Sequence, residues 1–295
     1  MEPVTPASSL EYRSIIPTDQ EASDFQWFNV CAWDPTARFC VADGALVLDF
    51  ADYHDPLNRF LTFCGGSDVD SIAAQLLTAS SELGVEPFLR LIPESVASKL
   101  SPTQFAVQED PNNRDYVYST SLTASADRPA YRRFRRTARK IERDFEGRLQ
   151  FAQLSPVLEF RTQVLAITAD WVSARGHDPI ALDEYTAISR FFDILEVSGE
   201  PQGLVSTGLL CDSELVAFSI DEIISEVLAV GHFGHASRSV PNGSTYLHWK
   251  MMSHLESLGV LWLNNGPDLG HDGLRKHKEI LQPERFVRKF VVSWA

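Results

Sequence analysis

The period of the apolar positions changes repeatedly along the chain. Residues 20–30 (QEASDFQWFNV) read as a short helix. FCVADGALVLDFA and RFLTFCGG read as strands, with turns at Asp43-Gly44 and Gly65-Gly66. In DVDSIAAQLLTASSELG the apolar residues return at helical spacing, behind an Asp N-cap and before Gly84. PFLRLI predicts a strand, PESVASKL a short helix opened by Pro93, and TQFAVQED and DYVYS two further strands. The first ~120 residues therefore alternate strand and helix, as mixed α/β layers do.

The second half repeats the theme with a different order. SPVLEFRTQVLAITADWVSARG predicts a long helix capped by Ser155, with Pro156 in its first turn and Gly176 at its end. LDEYTAISRFFDILEVSG predicts another. GLVSTGLLC, ELVAFSIDEI and EVLAVGHFGH are three apolar strands joined by short turns, an antiparallel meander. A helix (NGSTYLHWKMMSHLESLG), a strand (VLWLNN), a helix (DGLRKHKEIL) and a last strand (ERFVRKFVVSW) follow. The expected organisation is two α/β domains of mixed central sheets flanked by helices, over residues 1–125 and 126–295.

The charges change this picture most. The chain has 295 residues and a formal net charge of −14, with 44% apolar and 22% charged residues. Residues 128–148 nevertheless carry nine Lys/Arg against Glu142, Asp144 and Glu146, a local +6. Residues 275–289 carry six against Glu279 and Glu284, a local +4. An acidic body with two basic islands selects where an anion docks. In the segment 130–146, Tyr131, Phe134, Ala138, Ile141 and Phe145 recur at steps of three and four and form one apolar stripe. Arg132, Arg136, Arg139 and Arg143 follow the same spacing on another face, extended by Arg133, Arg135 and Lys140. This predicts a helix that docks by its aromatic side and offers guanidinium groups to phosphates. A solvated face paired to the acidic body is the plainer alternative.

No segment approaches the ~18 apolar residues of a membrane span. The first residues have no basic region followed by an apolar one, so no secretory signal is expected. Cys31, Cys40, Cys64 and Cys211 are scattered, which predicts reduced thiols in a cytoplasmic protein and no zinc site.

LNNGPDLGHDGLRKHKEILQPERFVRKF, residues 263–290, is the most specific string in the chain. It resembles the terminal signature of the phosphatidylglycerol lysyltransferase C-terminal domain family. Asn264, Asp268, Leu269, Gly270, Gly273, Leu274, Arg275, Lys276, Lys278, Pro283, Phe286, Lys289 and Phe290 match as they stand. DYVYS, the basic helix and AFSIDE…AVGHF extend the likeness from residue 115 to the C-terminus. The resemblance implies a tandem acyltransferase fold of the Gcn5-related N-acetyltransferase type, akin to the Fem-type aminoacyltransferases. It also implies transfer of an amino acid from aminoacyl-tRNA to an amine or hydroxyl. Members often carry an N-terminal membrane domain that no segment here could form. The acceptor therefore stays open among small molecule, peptide and lipid headgroup, with peripheral membrane contact by the basic strip as one route.

The residues make chemical sense beside the resemblance. Asp268 follows a strand end, where ligands enter open α/β layers. It is a candidate general base or acceptor-orienting group, or else a turn residue. Arg275 and Lys278 share one helical face near a helix N-terminus, with Lys276 pointing elsewhere. Cations there suit a phosphate and a developing oxyanion. Asn264 either bonds substrate or closes a strand end. The resemblance places His232 on the third strand facing substrate, whereas a lone histidine on an apolar strand is more often a satisfied core histidine. Asp221 and Glu222 read equally as exposed turn residues.

The helix after the meander opens on SRSVPNGSTYLHWKMM, without the glycine spacing of a pyrophosphate loop, which argues against acyl-CoA as donor. The reading is an aminoacyl-tRNA-dependent aminoacyltransferase needing no metal or organic cofactor, with its acceptor unnamed. An acyl-CoA-dependent N-acyltransferase and a non-catalytic binding protein of the same fold are the rivals.

Overall fold

The computed structural model describes residues 1–53, 55, 57–176 and 179–295. Among them the chain forms two compact units that interleave along the sequence. One comprises Met1–Asp115, Pro267–His271 and Phe286–Ala295, and the other Tyr116–Gly266 and Asp272–Arg285. A single cut near residue 125 does not describe this partition, because the end of the chain returns to the first unit. Elements are numbered in chain order.

The first unit holds β1 (Glu2–Pro3), α1 (Ser9–Ile15), α2 (Trp27–Trp33), β2 (Arg38–Ala42), β3 (Ala45–Ala51) and β4 (Arg59–Gly65). α3 (Val69–Leu83), β5 (Leu89–Pro93), α4 (Glu94–Ala97), β6 (Phe105–Glu109) and the final strand β14 (Lys289–Trp294) complete it. The sheet runs β1-β2-β3-β4-β5-β14-β6. Local chemistry sets its corners. Asp43 and Gly44 both take positive φ, 47° and 78°, which a two-residue hairpin turn between β2 and β3 requires. Asp68 caps α3 by accepting the Ser71 N–H at 3.0 Å, and Gly84 ends it in the left-handed region. α3 then buries Ile72, Ala73 and Leu77 among Val47, Phe63 and Leu89.

The segment expected as one last strand, ERFVRKFVVSW, is two. β13 (Arg285–Val287) and β14 belong to different sheets and part at Arg288. The next side chain explains the break. Lys289 is fully buried in the first unit, with its ammonium 2.5 Å from Asp115 and also paired with Asp24. Tyr53 donates to Asp24 at 2.8 Å, and Ser23 donates its N–H to Asp115 at 2.8 Å. Burial pushes Asp24 up against the pull of Lys289. A lysine that must meet two buried carboxylates cannot continue β13, so the chain enters the gap between β5 and β6, where Val292 is fully buried.

The second unit holds β7 (Asp115–Ser119), α5 (Thr120–Ser125), α6 (Arg132–Asp144), β8 (Leu149–Gln153), α7 (Arg161–Ala174) and α8 (Pro179–Ser198). β9 (Leu204–Cys211), β10 (Glu214–Ile223), β11 (Leu228–Ala236), α9 (Gly243–Ser257), β12 (Trp262–Asn264) and α10 (Asp272–Ile280) follow. The order is β13-β7-β12-β11-β10-β9-β8, with the expected meander at β9-β10-β11. α7 starts later than expected. Pro156 is held extended, a short 3-10 turn covers Val157–Phe160, and no side chain caps the helix. α6 docks as its stripe predicts: Tyr131, Phe134, Ala138 and Ile141 are buried, the last two among Leu209, Ala217, Val240 and Leu247. Trp249 of α9 donates its indole N–H to the Ala124 carbonyl at 2.8 Å. No helix among the described residues is long and apolar enough to cross a membrane. The four cysteines are free thiols.

Candidate active site

The second unit's sheet opens beside β11. β12 pairs with it in parallel at only three positions, Leu228 with Trp262, Ala229 with Leu263 and Val230 with Asn264. β12 then stops while β11 runs on to Ala236, so among the described residues no strand lies beside that edge of β11 from Gly231 onward. On its other edge Ile220 faces Phe233 and Asp221 faces Gly231, which leaves His232 as an extra residue in a bulge. A bulge at a strand parting re-aims side chains where a ligand can enter.

Asp221 is the residue this geometry singles out. It is 1% exposed, and the Ser219 hydroxyl donates to its Oδ2 at 2.8 Å. Its Oδ1 is buried and has no hydrogen-bond partner among the described residues. Burial pushes its pKa up to about 7, against the smaller downward pull of Ser219. Gly231 makes room for it: a Cβ there would lie 2.8 Å from Asn265 Oδ1 and 3.2 Å from Asp221 Oδ1. The alternative of an exposed turn residue, open in the sequence for Asp221 and Glu222, does not hold. Both are buried within β10, which stays paired through Ile223.

His232 and Glu222 form a closed pair, Nε2 to Oε2 3.0 Å, and the His232 side chain has no exposed surface. His235, in register with Phe218, lies on the opposite face of the sheet from Asp221. Its Nε2 is 3.2 Å from Glu184, and its ring lies 4.2 Å from Trp171. Burial would raise Glu184, yet His235, with Arg175 and Lys278, holds that carboxyl below the usual range. His248 is pushed down to about 3 by burial and then by His277 and Lys278, so its ring is neutral at physiological pH.

The residues named from the C-terminal string lie as follows. Asn264 is fully buried, and its Oδ1 accepts the Gly266 N–H at 2.8 Å. Asp268, in the other compact unit, is fully buried and accepts the Gly270 N–H at 2.8 Å. Leu269 and Gly270 take positive φ, 53° and 78°, so these bonds are those of a tight turn. Lys278 is 5% exposed. Its ammonium donates to the Asn265 carbonyl and lies 5.7 Å from the centre of the Tyr116 ring. Tyr118 donates to the Lys278 carbonyl at 2.9 Å. Lys278 thus braces the loop that carries Asn265 toward Gly231. Arg275 is half-buried and Lys276 exposed.

On α6, Arg132, Arg133, Arg136, Arg139 and Arg143 are exposed. Among the described residues none of these five has a hydrogen bond or ion pair. Two of the cations named with them are engaged. Arg135 donates to the carbonyls of Ala126 and Arg128, and Lys140 pairs with Asp144 at 2.5 Å.

Sequence reasoning missed Asp221. Two adjacent acids after ELVAFSI look like a strand end, and only the pairing with β11 shows otherwise. A signal was present in Gly231-His232, a glycine beside a polar residue in an apolar strand, which marks a bulge or a close approach.

Fold and site together define an acyltransferase type of architecture, a meander followed by a helix and a parallel strand that parts from it. The family model for phosphatidylglycerol lysyltransferase, C-terminal, matches residues 18–293, and the chain belongs to that family. The match takes in most of the first unit, beyond the region from residue 115 that carries the resemblance in sequence. A conserved protein of unknown function from Bacteroides thetaiotaomicron VPI-5482 has the same fold, with a TM-score of 0.84 at 19% identity over 99% of this chain and 98% of that one. L-PGS from Bacillus licheniformis superposes with a TM-score of 0.65 at 15% identity, over 99% and 92%. FemX does so with 0.60 at 10% identity, over 96% and 95%. No curated protein matches the chain by sequence.

Proposed function

We propose that the protein transfers an aminoacyl group from aminoacyl-tRNA, in the cytoplasm, to an amine or hydroxyl of a small molecule, peptide or lipid headgroup. The observation that carries this reading is Asp221 Oδ1, a buried, unpartnered acceptor at the parting of β11 and β12, on a carboxyl whose pKa lies near 7. A base poised near neutrality suits removal of a proton from an attacking nucleophile.

The acceptor's nitrogen or oxygen attacks the ester carbonyl carbon of the aminoacyl group and its proton passes to Asp221. The carbonyl oxygen becomes an oxyanion beside that edge of β11, whose backbone N–H groups have no strand partner there among the described residues. Collapse breaks the ester C–O bond, and the departing ribose oxygen takes the proton back from Asp221. Glu222 and His232 support the bulge, and Lys278 holds the Asn265 loop. Asn264 and Asp268 each close a turn by accepting a backbone N–H. Arg132, Arg133, Arg136, Arg139 and Arg143 take the RNA backbone. The ester is already activated, so positioning supplies much of the rate. Two findings support an RNA donor: five arginines on one helix without a partner among the described residues, and a family whose name denotes lysyl transfer.

Incubation with charged tRNA pools carrying radiolabelled amino acids and with candidate acceptors tests this. Label should leave tRNA for acceptor, and Asp221→Asn should slow it about 100- to 10,000-fold. Unchanged transfer in that variant would remove Asp221 from the mechanism.

A further inference from the structure

Near its C-terminal end α6 borders two cavities that share Phe145 as a wall. They differ in the state of their cations. The one of about 390 Å³ contains Lys140 and Arg148, which are neutralised at 2.5 Å by Asp144 and Asp212. The one of about 480 Å³ contains Arg139 and Arg143, which have no carboxylate partner among the described residues. Its volume falls within the roughly 300–1,000 Å³ of small-ligand sites. Arg139 and Arg143 are four apart on the helix, so their side chains rise side by side. Like charges at that spacing weaken a helix slightly, and two forks aimed at one spot match a phosphate.

The rest of the lining joins two rings, Phe145 and Tyr246, to Gly147, Leu149 and two carboxylates, Glu142 and the exposed Glu146. Phe145 is half-buried and Tyr246 is 7% exposed, so each ring is held by packing. Glu142 at the edge does not oppose an anion as a free charge would. It accepts the Tyr246 hydroxyl at 3.2 Å and lies 3.3 Å from the Lys250 ammonium. Burial and then Glu142 push Tyr246 up to about 12, so it stays a neutral donor.

We propose that the larger cavity binds one unstacked nucleotide, its phosphate on Arg139 and Arg143 and its base against Phe145 and Tyr246. This rests on the reading of α6 as an RNA-binding face and deepens it: one base leaves the stack and is gripped singly, in addition to contacts along the backbone. The same chemistry comes from a nucleotide within a single strand or from a free mononucleotide.

Calorimetric titration of the full chain with AMP, adenosine, inorganic phosphate and a single-stranded RNA tetramer decides the matter. AMP, the tetramer or both should saturate at one site. Phosphate and adenosine should each bind at least about tenfold more weakly than the better of the two, because each offers half of the contacts. Saturation by the tetramer alone assigns the site to a strand, and equal binding of AMP assigns it to a free nucleotide. Arg139→Ala with Arg143→Ala should weaken binding about tenfold or more. The double variant should melt within a few degrees of the parent, because both side chains are exposed, so that a loss caused by misfolding is recognised. The inference fails if phosphate binds as tightly as AMP, which would make this an anion site only, or if nothing saturates. No transfer is needed for the titration. A protein that binds AMP but transfers nothing keeps this inference and loses the reaction above. One that transfers at full rate without Arg139 and Arg143 does the opposite.

Discussion

Asp221 has a carboxyl oxygen buried without a partner and a pKa near 7, while an unfolded chain would hold it near 3.8. Its raised folded-state pKa means that the protonated form fits the fold better. The stability it lends is therefore complete below the unfolded value and is lost as pH rises through about 7. Asp221→Asn should melt higher than the parent at about pH 8 and lose that advantage at about pH 3, as calorimetry at the two pH values would show. Its transfer rate should also lose the rise toward pH 7 expected of the parent. A stable but inactive Asn variant is what a strained catalytic acid predicts, whereas a structural carboxyl would give the reverse. Lys289 is the contrasting buried charge. It is fully buried against Asp24 and Asp115, so Lys289→Met should cost on the order of 3–5 kcal/mol in chemical denaturation. Neither role was legible from spacing. Asp24 and Asp115 lie far from Lys289 along the chain, and the burial of Asp221 depends on a bulge in a neighbouring strand.

α6 shows what periodicity can carry. The steps of three and four in Tyr131, Phe134, Ala138 and Ile141 specify one buried stripe, and the structure buries those residues. The same arithmetic puts Arg132, Arg136, Arg139 and Arg143 outside. It does not show that Arg135 turns back to two carbonyls, because those belong to a loop whose path depends on tertiary packing. Arg132→Glu with Arg136→Glu should weaken tRNA binding and flatten its salt dependence, with the melting temperature changed little, since both side chains are exposed. Filter binding over a salt series checks this. Phe134→Ala, on the docked side, should instead destabilise by about 3–5 kcal/mol. The last strand was legible as extended backbone and not as two strands. The alternation in ERFVRKFVVSW continues across Arg288, while the sheets do not.

Across the whole molecule, element order was the readable part: the meander, the helix after it and the short parallel strand are all where apolar patterning puts them. The interleaving of the units was not, since a strand's partners are set by contacts distant in sequence. β14 pairs on both edges, with β5 and β6, so removing residues 289–295 would open two strand edges and uncover Val292. Such a truncation should aggregate or lose its cooperative melt, even though it leaves every residue of the β11–β12 site in place. Within the C-terminal string Lys278 holds the Asn265 loop and Lys289 holds β14 in place, while the reaction proposed above draws its base from a strand upstream of it. The central claim is that this site moves an aminoacyl group from RNA. The most direct test is a single-turnover assay with labelled aminoacyl-tRNA, run beside the same assay with labelled acetyl-CoA. Label should reach the acceptor from aminoacyl-tRNA, and Asp221→Asn should slow that transfer about 100- to 10,000-fold; label arriving from acetyl-CoA and independent of tRNA would contradict the account.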